Sequence, residues 1–316
     1  MMQQGVVELT DKNYPKALKK ALKNLVPSLG PKKLYYKGNW DDFFPPGRDS
    51  AAAGKDCLGV VGSRHLTSYG RRATEQIVTE AAAAGVTIVS GFMYGGDEAA
   101  HTAAVRCGGK TIAVMPCGIN MIHPPQQKEL YNQILENNGL IISEYEGDFL
   151  PQNWSYVQRD RIVAGLSKAV LVTEAGLDSG SLITANYAKK FGRKVFALPG
   201  QIFSEVSKGS IKLIQEGATA VSEANDILKY YKILVNPVKA KRAPSSQNPE
   251  NFVSSGLTKI GGLEEKIIAH LRREPMEADS LARALCVPAA QLGTTLSLMQ
   301  LKGVVSQDNG KYFFAL

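Results

Sequence analysis

Leu58-Gly59-Val60-Val61-Gly62-Ser63-Arg64 is the stretch that decides how this chain folds. An apolar run with no polar side meets a glycine turn. The following stretch, 68–84, gathers Ile77, Val78 and Ala81 on one helical face. A strand that is apolar on both faces is covered on both faces. The alternation continues outward, with strands predicted at 86–89, 111–115, 139–143, 169–173 and 194–198. Helices are predicted at 97–106, 128–135 and 182–190, and a further unit begins at 162–166. Strands alternating with helices in this way predict an α/β fold: a parallel sheet covered by helices on both faces.

Beyond this core the rhythm breaks. Residues 229–258 are rich in Pro, Ser, Asn and Lys and read as a flexible linker. Residues 259–316 then read as a winged-helix domain. Helices are expected at 264–271, at 281–285 with Asp279 as its cap, and at 288–301 with Pro288 near its first turn. A hairpin turning at Asn309-Gly310 closes the domain.

The net charge of +8 invites a nucleic-acid reading, but its distribution weakens it. Residues 58–228 hold 15 Lys+Arg against 16 Asp+Glu, so the excess lies at the N-terminus and in the linker. Phosphate recognition needs only a local positive cluster, so a near-neutral core is compatible with it. Cys57, Cys107, Cys117 and Cys286 are scattered without C-x-x-C spacing. They read as reduced thiols of a cytoplasmic protein, with no metal site expected. No apolar run of about 18 residues predicts a membrane span, and the N-terminus has no signal-peptide pattern.

Four segments carry candidate chemistry. At Gly62-Ser63-Arg64 a glycine allows a tight turn, Ser63 and backbone N–H groups can hold a phosphate, and Arg64 can clamp it. Ser90-Gly91 opens a second turn of the same kind, followed by Asp97 and His101 four residues apart, expected as a buried pair that fixes the loop. Glu174 leads into Ser179-Gly180-Ser181 and Thr184 at a helix start, a good phosphate seat. Trp154, Tyr156, Arg159 and Arg161 interleave aromatics with cations, so that Tyr156 can stack a base while arginines meet phosphates. The bland reading of that last segment is a surface loop with Trp154 in a satellite core. Three anion-binding loops after strands of one sheet are more telling than any one alone, because such loops gather at one crevice.

These blocks, in this order, resemble the DprA/Smf family of DNA-processing proteins. The match comprises Gly62-Ser63-Arg64, residues 90–101, Ser143-Glu144, residues 156–167, 174–185 and 192–200. Asn13-Tyr14-Pro15 and Leu34-Tyr35-Tyr36-Lys37-Gly38 resemble the family's lead-in, here 1–57, ahead of the core at 58–228. The resemblance implies an extended Rossmann-like fold, a pocket for single-stranded DNA, homodimers and partnership with RecA. It implies protection of incoming DNA and RecA loading in natural transformation, without catalysis or cofactor. By position, Arg64 would clamp a phosphate, Arg159 and Arg161 would line or brace the pocket, and Ser179, Gly180, Ser181 and Thr184 would hold a second phosphate. This chain departs from the family pattern at Met93-Tyr94-Gly95-Gly96, at Val157 for Pro, at Tyr156 for Phe and at Asp160 for Asn.

Two other readings compete. A Rossmann-like nucleotide hydrolase also uses Gly/Ser loops with a nearby acid such as Glu174, but its P-G-G-x-G-T-x-x-E pattern is missing. A winged-helix regulator reading duplex DNA is the other, and it would give a footprint at defined sequences. A dinucleotide oxidoreductase would require G-x-G-x-x-G after the first strand, which residues 62–67 do not provide.

Overall fold

The computed structural model describes residues 3–23, 30–45, 56–233, 262–272, 274–308 and 310–315. The chain divides into two units, Met1–Lys239 and Ala240–Leu316.

The first unit is built on one nine-stranded sheet. Its parallel strands are β3 (Cys57–Val61), β4 (Thr87–Ser90), β5 (Thr111–Gly118), β6 (Leu140–Tyr145), β7 (Ala169–Val172), β8 (Lys194–Ala197) and β9 (Thr219–Ala220). Their spatial order is β6-β5-β4-β3-β7-β8-β9. The chain therefore winds outward from β3 in one direction, then returns to β3 and winds the other way from β7. The carboxyl ends of β3 and β7 flank this reversal, the place where open α/β sheets bind ligands.

Side-chain alternation explains why these strands read as apolar throughout. Leu58, Val60, Ile88, Ala169 and Leu171 point to one face, where Ile77, Val78 and Ala81 of α2 (Ser68–Ala83) cover them. Val61, Val89, Ile112, Val170 and Val172 point to the other, beneath α5 (Asn153–Leu166) and α6 (Ser181–Lys190). Burying each such side chain contributes roughly 1.5–3 kcal/mol. The remaining helices of this unit are α1 (Lys16–Lys23), α3 (Gly96–Arg106), α4 (Lys128–Glu136), α7 (Lys208–Gln215) and α8 (Ala224–Tyr231).

Three features depart from the sequence reading. The lead-in is part of the sheet: β1 (Gln4–Glu8) and β2 (Lys33–Gly38) pair antiparallel, and β2 pairs with β6 from Tyr35↔Ser143 to Gly38↔Leu140. Trp40 anchors this addition, buried against Tyr36 and Phe44. Residues 154–161 are helix, the first half of α5, not loop. At the other end α8 runs to Tyr231, whose hydroxyl donates to the carbonyl of Cys57 at 2.7 Å, so packing of this unit extends past residue 228. The expected linker from 234 to 258 lies outside the described residues.

The second unit has α9 (Gly262–Leu271), α10 (Ala278–Leu285) and α11 (Ala289–Leu301), with a three-stranded sheet of β10 (Met276–Glu277), β12 (Lys311–Phe314) and β11 (Val305–Asp308). Ile267, Leu281, Leu292, Leu296 and Val305 form its core. Glu277, not Asp279, occupies the N-cap of α10, and Asp279 sits in its first turn, where a carboxylate favours the helix dipole. Pro288 is the N-cap of α11. Among the described residues no single helix is long and apolar enough to cross a membrane.

Candidate nucleic-acid interface

At the reversal of strand order lies a cleft of about 840 Å³. Its walls come from the turn after β3, the loop between β7 and α6, the outer side of α5 and the segment after β8.

The first wall is Gly62-Ser63-Arg64-His65. Ser63 N–H donates to the Glu174 carbonyl at 2.6 Å, joining the ends of β3 and β7. Thr67 caps α2 by accepting from Gly70 N–H at 3.0 Å. The buried Glu174 carboxylate holds that cap, accepting from Thr67 N–H at 2.8 Å and from its hydroxyl at 2.6 Å. Glu174 thus braces the turn and is not one of the cleft-lining residues. Gly62 and Gly96 touch backbone to backbone: a Cβ on Gly96 would stand 2.7 Å from Gly62 Cα. Only glycine lets α3 begin this close to the turn.

Arg64 is exposed, and its guanidinium carbon lies 5.5 Å from the Tyr156 ring centroid. The Tyr156 hydroxyl is 2.6 Å from His123 Nε2, which fixes the ring at the cleft edge. Burial and the Arg64 charge hold His123 below the usual imidazole range, so it stays neutral and can accept that hydroxyl's proton in a hydrogen bond.

Across the cleft, Ser179, Gly180, Ser181 and Thr184 surround the N-terminus of α6. The Ser179 and Ser181 hydroxyls bond each other at 2.6 Å. A ten-residue helix presents partial positive charge at this end, suited to an anion. The two anion-suited turns predicted after β3 and β7 therefore face one space.

Beneath them lies a charged floor. Arg159 is buried, and its guanidinium donates to the carbonyls of Gly91 and Val114 and to Asp160, the last at 3.2 Å. A side chain at position 91 would occupy the space of that guanidinium, which is why the turn after β4 carries glycine. Asp160 also accepts from the Thr184 hydroxyl. Burial pushes the Asp160 carboxyl up to about 7, Arg159 opposes this, and the neighbouring Asp97 adds to it. Asp97 is likewise raised by burial, although it accepts from Met93 N–H at 3.2 Å. Among the described residues lining the cleft, Arg64 is the exposed cation; Arg159 is enclosed.

Several sequence-predicted residues lie outside the cleft wall. Arg161 is buried and grips Glu144 with two bonds of 2.7 and 2.8 Å, tying α5 to β6. It braces and cannot reach a ligand in the cleft, and Ser143-Glu144 is its anchor. Ser90 is buried and donates to the Val60 carbonyl at 2.6 Å, while Gly91 lies over Arg159. Neither forms an open second anion turn. Asp97 lines the cleft but does not pair with His101, which lies outside it: His101 Nδ1 is 2.8 Å from the Thr111 hydroxyl, and burial lowers the ring to about 3, so it is neutral. Tyr94 bonds Gln126 at 2.7 Å and does not line the cleft. Leu177, Glu205 and Val206 do line it. Glu205 and Val206 follow β8, five and six residues beyond the motif block that ends at Gly200, and no local pattern marks them.

The family model for DNA recombination-mediator protein A matches residues 5–232. The chain belongs to the DNA recombination-mediator protein A family. Its second unit matches the DprA winged helix domain over residues 257–311. Protein Smf of Synechocystis is 32% identical over 328 residues, spanning 95% of this chain and 77% of that protein. The DNA processing protein DprA of Streptococcus pneumoniae is 40% identical over 203 residues, 64% of this chain and 67% of the relative. Two solved structures share the fold. DprA from Streptococcus pneumoniae superposes with a TM-score of 0.61 at 34% identity, covering 74% of this chain and 76% of that one. DprA from Helicobacter pylori, described for its single-stranded DNA binding mode, gives 0.60 at 30% identity, covering 72% and 95%. The sequence resemblance, the Rossmann-like parallel sheet and the C-terminal winged helix are thereby established, and with them membership in a family of recombination mediators.

Proposed function

We propose that this chain binds single-stranded DNA in the cleft and, as a homodimer in the cytoplasm, protects incoming strands and helps load RecA during natural transformation. One observation carries the binding step: the turn at Gly62-Ser63-Arg64 and the α6 N-terminus at Ser179-Gly180-Ser181 face each other across the strand-order reversal. On this reading Arg64 clamps one backbone phosphate, and Ser179, Gly180 and Ser181 seat another. Thr184 acts indirectly, through its bond to Asp160. Tyr156, held by His123, offers its ring to a base. Arg159 and Arg161 brace the walls. Recognition of phosphates and ring faces has little sequence preference. The RecA and homodimer steps rest on the family resemblance.

The reading is of a binder and not an enzyme. Glu174, the acid nearest a hydrolase role, has both oxygens engaged by Thr67. A labelled oligo-dT strand titrated against the full chain, with matched duplex as competitor, tests this. Binding that duplex fails to displace supports it. Hydrolysis of a nucleoside monophosphate without strand binding would replace it with the hydrolase reading.

A further inference from the structure

Trp154 is 53% exposed, an unusual position for the largest apolar side chain. It is nonetheless held in place. Its ring meets Tyr145 edge-on, with centroids 5.9 Å apart and planes at 82°, and Phe149 at 5.9 Å and 61°. Tyr145 and Phe149 stack on each other at 4.5 Å, and the Tyr145 hydroxyl reaches Gln158 at 3.3 Å. The indole thus stands on a rigid aromatic base with about half its surface in solvent.

Its place in the fold is the first turn of α5, whose Asn153, Tyr156 and Val157 line the cleft. Val157, three residues on and therefore on the same helical face, is 42% exposed, and Leu150 before the helix is 63% exposed. Val157 also lines the cleft, so the helical face that carries Trp154 reaches its rim. A flat, neutral, solvent-facing π-face fits the face of a nucleobase.

We infer that Trp154 is a base-stacking platform just outside the cleft, taking one nucleobase of a strand whose phosphates run between Arg64 and the α6 N-terminus. The inference rests on the single-strand reading above and adds the site where the strand leaves the cleft. Held rigid beforehand, the ring loses little freedom on binding, which favours stacking.

The chain has two tryptophans, and the other, Trp40, is 1% exposed. A strand-dependent change in indole fluorescence therefore reports on Trp154, while anisotropy of a labelled strand reports binding separately. Oligo-dT should quench the wild-type signal, and an abasic strand of equal length should bind without quenching. Trp154→Phe should keep oligo-dT affinity within about threefold and abolish the quench, since phenylalanine still offers a ring. Trp154→Ala should weaken oligo-dT binding by roughly 5- to 150-fold and leave abasic binding unchanged. Oligo-dT that binds the wild-type chain with no fluorescence change, or binds Trp154→Ala as tightly as wild type, overturns the platform while leaving the cleft reading intact. Failure of every strand to bind the wild-type chain overturns both.

Discussion

At the scale of single residues, the cleft combines one exposed cation with a floor of enclosed charges, and Asp160 is the telling member. Its carboxyl is raised to about 7, against an ordinary value of 3.8, chiefly by burial. A carboxyl raised on folding holds its proton more tightly in the native state. Native stability therefore falls as pH rises from about 4 to about 7, and levels off above that. His101 opposes this at the acid end. Lowered to about 3 by burial, it adds stability as pH rises from about 3 to its unfolded value of 6.5. Comparing variants separates the two: Asp160→Asn removes only the first effect. Urea midpoints at pH 5 and pH 8 should show wild type losing more stability than Asp160→Asn over that interval. Equal losses would mean that Asp160 titrates as an ordinary carboxyl. Asparagine keeps an acceptor for Arg159 and Thr184, so the substitution preserves the local geometry.

Between elements, the decisive contact is the approach of α3 to the turn after β3. A Cβ on Gly96 would meet the backbone of Gly62 at 2.7 Å, and backbone has no flexible end with which to yield. Gly96→Ala should cost about 1–3 kcal/mol, read as a lower urea midpoint, and should weaken strand binding by displacing Ser63 and Arg64. Unchanged stability would show that α3 shifts freely. The parallel strands were legible in sequence because each is buried on both faces and reads as one apolar run. Other elements were not, for identifiable reasons. The strand at Lys33–Gly38 alternates exposed Lys33 and buried Leu34 at a sheet flank, a weak pattern without its partner β6. The first half of α5 buries Arg159 and Arg161, so its apolar period vanishes although the helix is packed on two sides. The same burial explains why sequence alone could not tell a clamp from a brace. Arg64 and Arg161 look alike until Glu144 is found beside the second. Asp97 and His101 share a helical face by spacing, yet Thr111 claims the histidine.

For the whole molecule, every residue lining the cleft falls between Val61 and Val206, inside the first unit. The second unit has its own core, and its helix α11, Ala289–Leu301, contains no lysine or arginine with which to neutralise phosphates in a duplex groove. A chain ending at Lys239 should therefore bind oligo-dT within about threefold of the full chain, since no cleft residue is removed. Anisotropy titrations of both would check this. A loss beyond tenfold would assign part of the strand site to residues 240–316. Near-neutral charge in 58–228 goes with a cleft whose described lining has Arg64 as its exposed cation, beside the N-terminus of α6.

The cleft is proposed to hold a single strand by its phosphates, with Arg64 as the clamp. The most direct measurement is the salt dependence of oligo-dT affinity for wild type and Arg64→Ala, side by side. Substitution should cost roughly 10- to 100-fold in affinity, as expected for a hydrogen-bonded charged contact of about 1.5–3 kcal/mol. The slope of log affinity against log salt should become shallower by about 0.7, one phosphate contact on a single strand. Equal affinity and equal slope in the two proteins would contradict it.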